Sequence, residues 1–481
     1  MEQAPPRGYT RLRPTATQSA RSDGASARIE RTINTAMHCT ILIPAAGSPG
    51  TLATAAFAGA LAEGCALAGI GTSVVGLALD PAEWHPAVLG EVETRAPWLP
   101  PTRLGPSDRA DARRRGIFST SACPIAACKP QWRRELLLER ALEDVAPNAA
   151  DSFIFADTRS ASALAALNRV ARRTGRRVVA FSNEALIDRL IDPTTRDAYI
   201  QCVTGCSTGI WAVSHHLVDF WRSQGVAAER IFLAPLVVRP SAIARSLPAR
   251  SSSRGVYLGN LAHREIDYLL EVTTSVSAQR PDFQLAIYGD APAGVRKALE
   301  ADIQVRGLAR VVSVNPPVGP LEISGILDTA GVLLLPRSRG EFSAAGFPNK
   351  IGEYLASGRP VVVSGVGDIP AYLTDGEHAL VVEPDDTLAF SSAVVRILDS
   401  HDLAERLGAN GRRLASTLMS ADIVARRLAD FAAALPAPTD WNPVDNRASA
   451  GVWASSYLPD PAFVTRDFVR LKRALRSKAR D

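Results

Sequence analysis

In the stretch "AAGFPNKIGEYLASGRPVVVSG" (residues 344–365), Lys350 stands at the mouth of a short helical pattern and Glu353 lies about one turn inside it. Pro348 suits the first turn of a helix, and Gly358 suits the left-handed residue just past its end. The small-residue run AAGF before the proline can bring backbone N–H groups close to a ligand, and a helix N-terminus favours anions. A diphosphate held at that end leaves a carboxylate one turn further along within reach of a neighbouring ribose. Its two oxygens can accept both the 2′ and the 3′ hydroxyl. Ile351, Tyr354 and Leu355 share a different face and are expected to pack on a sheet. A surface Glu and Lys on an ordinary β–α–β unit fits the same spacing equally well.

The elements that must position these residues recur along the whole chain. Six short apolar runs occupy the first half, at 39–44, 73–79, 152–156, 177–182, 209–214 and 230–235. A segment rich in Pro, Ser and Arg (239–254) reads as a linker. Six further runs follow at 255–260, 283–289, 310–315, 331–336, 360–364 and 379–384. Runs apolar on both faces and separated by helical patterns indicate parallel sheets covered on both sides. The expected class is α/β, with two doubly wound, Rossmann-like domains facing a central cleft. Ligands in such sheets bind at the carboxyl ends of the strands. The boundaries read as a disordered tail (1–36), a first domain (37–238), the linker (239–253) and a second domain (254–419). Terminal helices and a basic tail (420–481) follow, with two placements open: back on the first domain, or on anionic lipid. Residues 402–433 read as helical, with LGANGRRLA as a turn or kink.

Composition sets the outer limits. A chain of 481 residues exceeds what one hydrophobic core usually organises. Apolar residues make up 46% and charged residues 21%, which reads as soluble and globular. No run approaches the ~20 apolar residues of a membrane span. The N-terminal arginines have no apolar stretch behind them, so no signal peptide is expected. Met37 directly precedes the first apolar run, which leaves the start codon open. The six cysteines include no CxxC pair, so buried thiols in a reducing compartment are expected and a metal site is not. Net charge is +5, yet residues 462–481 carry seven Lys or Arg against two Asp, also +5. The remainder is close to neutral, which argues against a nucleic-acid binder.

The segment GFPNKIGEYLASGRPVVVSGVGDIPAYLTDGEHALVVEPDD, followed by LAERLGANGRRLA, resembles the C-terminal domain of retaining GT-B glycosyltransferases of family 4 (glycosyl transferases group 1). The resemblance covers roughly residues 255–415 and is specific at 342–386; over residues 37–235 it is architectural only. It implies a nucleotide-sugar donor held by the second domain and an acceptor held by the first. It also implies transfer with retention, no essential metal and no cofactor beyond the donor. Glu353 matches the second glutamate of the family's E-x7-E motif, which holds the donor ribose. The first, which contacts the transferred sugar, falls at Ala345 and is missing; Glu341 lies four residues too early.

In GVYLGNLAHREIDYLL, the family's phosphate-binding segment falls on Gly259 and Asn260, with Arg264 at its lysine position. Arg264 also fits a solvated charge at a helix start. Asn260 replaces an arginine, and Lys350, Arg337 or Arg339 are alternatives for the lost cation. The catalytic candidates are Arg264, Lys350 and Asp157. The donor-binding candidates are Glu353, Gly259, Asn260, Gly346, Phe347, Pro348 and Asn349, the loop 344–349 holding the donor sugar.

The first domain is less explicit. Gly47 and Gly50 resemble the family's acceptor loop and equally fit a tight turn. Where the family often carries a histidine, FADTRSAS offers Asp157 and Arg159, and Asp157 also fits a helix cap. His215 and His216 open a helix, where one is expected to cap or pack. The expected activity is sugar transfer to a glycan, a lipid-linked or a small-molecule acceptor, in the cytoplasm, with residues 462–480 available for peripheral membrane contact. The rivals are an inactive binding or helper subunit and a nucleotide-sugar epimerase. The epimerase family's paired acidic residues and histidines are not found in this sequence.

Overall fold

The computed structural model describes residues 37–43, 51–76, 152–157, 161–183, 203–244, 252–261 and 265–438, with isolated helical residues at 110–143 and at 200. The N-terminal tail, the Gly47/Gly50 loop, Arg159, Arg264 and the basic tail lie outside the described residues.

All twelve apolar runs fall on strands, and every recorded strand pairing is parallel. The first sheet comprises β1 (His38–Ile43), β2 (Gly71–Gly76), β3 (Ser152–Asp157), β4 (Arg177–Ser182), β5 (Gly209–Ala212) and β6 (Ile231–Leu233), in the order β2-β1-β3-β4-β5-β6. The second comprises β7 (Arg254–Leu258), β8 (Gln284–Tyr288), β9 (Val312–Asn315), β10 (Val332–Leu335), β11 (Val361–Ser364) and β12 (Leu380–Val382). Its order, β12-β11-β10-β7-β8-β9, reverses between β7 and β10. That reversal opens a crevice at the carboxyl ends of these two strands, the place where open α/β sheets hold ligands. Buried Val and Leu on both faces of β10 and β11 explain why these runs do not alternate with polar residues. On the first sheet Phe155, Phe181, Trp211 and Phe232 form an aromatic cluster with Phe57 of helix Thr51–Leu67.

LGANGRRLA is not a kink. Helix His401–Leu414 runs straight through it, and the break comes after residues 415–419, at Ser420. The glycines are there for space. A Cβ on Gly408 would lie 2.0 Å from the Gly358 carbonyl oxygen, and one on Gly411 would lie 2.7 Å from the Leu355 side chain. The following helix, Ala421–Ala434, packs on Thr51–Leu67 beneath the first sheet, where a Cβ on Gly64 would strike the Ala421 backbone. Arg177 Nε donates to the Leu435 carbonyl at 2.8 Å, tying the end of this helix to β4. The two passages of chain between the sheets run side by side, with Val238 N–H on the Met419 carbonyl and Ala421 N–H on the Val238 carbonyl. Among the described residues no helix is long and apolar enough to cross a membrane.

Candidate functional site

The site is built around helix Asn349–Ala356, capped by Pro348 and closed by Gly358 at φ +72°. Ile351, Tyr354 and Leu355 are buried against the sheet, as their shared face predicts. Tyr354 also locks the helix to the crevice: its hydroxyl accepts the Leu258 N–H, at the end of β7, at 2.8 Å. Burial pushes the phenols of Tyr354 and of Tyr257 upward, and the nearby Glu265 carboxylate adds to the effect on Tyr257. Both are therefore neutral hydrogen-bonding groups, not acids. Glu353 and Lys350 lie off the buried face and are half-buried.

The run AAGF is less of a loop than its sequence suggests. Glu341–Ala345 form a helical turn, and the Gly346 N–H is already used by the Phe342 carbonyl at 3.2 Å. The N–H groups nearest an anion there belong to the first turn of Asn349–Ala356, where that of Ile351 is already given to the Pro348 carbonyl at 3.1 Å. Phe347 is buried edge-on to Tyr372, with ring centroids 5.2 Å apart, so its side chain belongs to the core. Asn349 begins the helix with its Oδ1 enclosed and without a hydrogen-bond partner.

Behind this helix the end of β10 contributes Arg337. Its backbone N–H donates to Ser364 Oγ at the end of β11 (2.9 Å), and its guanidinium lies 3.4 Å from Glu265 at the start of helix Glu265–Gln279. With the two side chains only 11% and 13% exposed, this is an enclosed ion pair. Yet Arg337 Nε makes no hydrogen bond of acceptable geometry. Arg339 instead faces outward to Glu383 at 2.7 Å. Of the two arginines considered for the lost cation, Arg337 is the one at the crevice. Opposite it, the Gly259 N–H bonds the Tyr288 carbonyl at 2.9 Å, and a Cβ on Gly259 would come within 2.4 Å of the Tyr257 hydroxyl oxygen. Asn260 follows, exposed. Asp157 is the last residue of β3, paired with Phe181 of β4, in the other sheet.

The first domain reaches this region at Val238, whose side chain would lie 2.3 Å from a Cβ on Gly352, and through the turn at Ser214. Ser214, not a histidine, caps helix His215–Ser223, accepting the Leu217 N–H. Its hydroxyl donates to the Ala345 carbonyl at 2.6 Å, and His215 bonds Asp368. Neither Ser214 nor Asp368 stands out in the sequence; the only signal was a small polar residue after an apolar run in each case. Among the described residues no three His, Cys, Asp or Glu side chains gather as they would around a metal ion.

Comparison with known proteins places this geometry. The family model described as "Glycosyl transferases group 1" matches residues 252–400. An alpha-D-kanosaminyltransferase of Streptomyces kanamyceticus is 28% identical over 175 residues, 36% of this chain and 44% of that protein. An MMP alpha-(1->4)-mannosyltransferase of Mycolicibacterium hassiacum is 28% identical over 217 residues, 44% of this chain and 50% of that protein. The chain thus spans half or less of the length of these curated relatives. Among solved structures, Anabaena HepE in complex with UDP and glucose aligns with TM-score 0.57 and 14% identity, covering 82% of this chain and 98% of that one. Sucrose-phosphate synthase from Thermosynechococcus elongatus aligns with TM-score 0.56 and 16% identity, covering 82% and 98%. Residues 252–400 thus match the glycosyl transferases group 1 model, in a chain whose two sheets have the GT-B fold.

Proposed function

We propose that this chain transfers a sugar from a nucleotide-diphosphate donor to an acceptor hydroxyl, with retention of anomeric configuration. The observation that carries the reading is the helix Asn349–Ala356, pinned by Tyr354 to the end of β7 with Glu353 one turn inside it. Glu353 accepts the ribose hydroxyls, and the first turn of the helix with Lys350, Arg264 and the Gly259–Asn260 turn receives the diphosphate. Arg337 supplies the cation that position 260 lacks. Gly346, Pro348 and Asn349 line the way to the sugar, Phe347 contributing backbone alone.

Breaking the sugar–phosphate bond builds negative charge on the leaving diphosphate. Donors fixed in advance at that charge lower the barrier, each by ~3 kcal/mol. The leaving phosphate oxygen takes the proton of the acceptor hydroxyl on the same face of the sugar, so neither a protein base nor a bound metal is required. Asp157, at the end of β3, belongs to the acceptor side of this scheme. The acceptor is a glycan, a lipid-linked sugar or a small molecule. The cytoplasmic side of the membrane is the proposed location, with residues 462–480 offering seven basic side chains, less one aspartate, to anionic lipid. The reading as a helper subunit draws no support from the relatives, which are themselves named as transferases.

Calorimetric titration of UDP, GDP, ADP and TDP tests the reading. One diphosphate is expected to bind at micromolar concentration, and Glu353→Ala to weaken it about tenfold, ~1.4 kcal/mol. Failure of all four to bind the wild type would defeat it.

A further inference from the structure

Two consecutive residues of the first domain hold two separate loops of the second. The Ser214 hydroxyl donates to the Ala345 carbonyl at 2.6 Å. The backbone N–H and ring Nδ1 of His215 both meet Asp368 Oδ2, at 2.8 and 2.9 Å. The two loops also lie against each other, since a Cβ on Gly367 would sit 2.9 Å from the carbonyl oxygens of both Ser343 and Ala344. The Asp368 carboxylate is thereby placed beside the turn that leads into helix Asn349–Ala356. Ala345 offers no side-chain acceptor at this place; Asp368, from a different loop, does.

The pair is only partly used by the protein. Asp368 is buried, its side chain 11% exposed, and both of its bonds come from His215 onto one oxygen. Its Oδ1 takes no bond from the described residues. With the side chain 11% exposed, that second oxygen is open to a donor from a ligand. With Nδ1 on the carboxylate, the other ring nitrogen, Nε2, is the one left to meet a ligand. The His215 ring is 50% exposed, leaving that nitrogen reachable. The unbonded carboxylate oxygen of Asp368 offers an acceptor to a hydroxyl donor, the group a sugar carries at every ring carbon but the linked ones.

Direction along the site says which polyol. With the ribose one turn inside the helix and the diphosphate at its mouth, the group beyond the diphosphate passes onto residues 345–347. That is where Ser214, His215 and Asp368 converge. We propose that Asp368, positioned by His215, binds hydroxyl groups of the transferred sugar, in a subsite assembled from both domains that selects which sugar the donor carries. This inference rests on the donor-site reading above.

The experiment compares, by calorimetry on the full chain, a nucleoside diphosphate with its glucose, mannose and N-acetylglucosamine conjugates, using the base selected from UDP, GDP, ADP and TDP. Asp368→Asn keeps an acceptor for the His215 N–H, and His215→Ala provides a second, independent variant; circular dichroism melts establish that both fold. Both are expected to bind the bare diphosphate within twofold of wild type and to bind the preferred conjugate at least tenfold more weakly. Asp368→Asn is also expected to narrow the spread among the three conjugates. Conjugate binding unchanged in both variants overturns the subsite while leaving the donor site intact. Absence of diphosphate binding to the wild type overturns both together, and equal loss of diphosphate and conjugate overturns the sugar assignment.

Discussion

The Tyr354 hydroxyl accepts the N–H of Leu258 at 2.8 Å, joining the middle of helix Asn349–Ala356 to the last residue of β7. Both groups are buried, and the two residues come from elements on either side of the strand-order reversal. Tyr354→Phe removes the acceptor and strands the amide. The expected cost is about 1–3 kcal/mol, read from a denaturant midpoint. Because the same bond registers the helix against the crevice, diphosphate affinity is expected to fall with it. Unchanged stability would mean that water or a shifted carbonyl replaces the hydroxyl.

Removing the Arg337 guanidinium leaves Glu265 enclosed without its counter-charge. Loss of one member of a buried pair costs about 3–5 kcal/mol when enclosure is complete, so Arg337→Ala is expected toward the lower end. It should also weaken diphosphate binding, whereas Glu265→Gln should leave that binding nearly intact. A variant pair showing the opposite order would place the anion away from Arg337.

Gly408 sits inside helix His401–Leu414, where an alanine ordinarily gains about 1 kcal/mol over glycine. Here its Cβ would be 2.0 Å from the Gly358 carbonyl oxygen, backbone against backbone. Gly408→Ala is therefore expected to destabilise by about 1–3 kcal/mol, the cost of forcing atoms into a filled contact. The sign of the shift in melting temperature decides the matter.

Burial pushes the phenols of Tyr268 and Tyr372 up to about 12, above the 10 of an unfolded chain, and Asp368 adds to the effect at Tyr372. A raised folded-state value means that the unfolded chain loses its proton first. The contribution to stability is then complete below pH 10 and disappears as pH climbs through about 12. Denaturant midpoints measured from pH 8 to pH 12 should fall above pH 10, and less steeply in Tyr372→Phe. A profile identical to wild type in that variant would exclude Tyr372 as a contributor.

What the sequence determined by itself was everything carried by local pattern. Runs such as PVVVS and GVLLLP announce strands because a buried parallel sheet accepts only apolar residues on both faces. Pro348 and Gly358 bracket the site helix because φ is restricted in one and unrestricted in the other. The Ile351, Tyr354 and Leu355 face follows from helical periodicity. Periodicity misled at LGANGRRLA, where the glycines answer to a neighbouring chain and not to their own helix. What only the tertiary structure decided were contacts between residues far apart in the chain. Nothing local distinguishes Arg337 from Arg339 until β10 and β11 place one against Glu265 and the other against Glu383. Likewise, the bond from Ser214 to Ala345 spans 131 positions, and that from His215 to Asp368 spans 153. No local preference encodes such pairs, because their geometry is set by how the two sheets and the helices on them pack together.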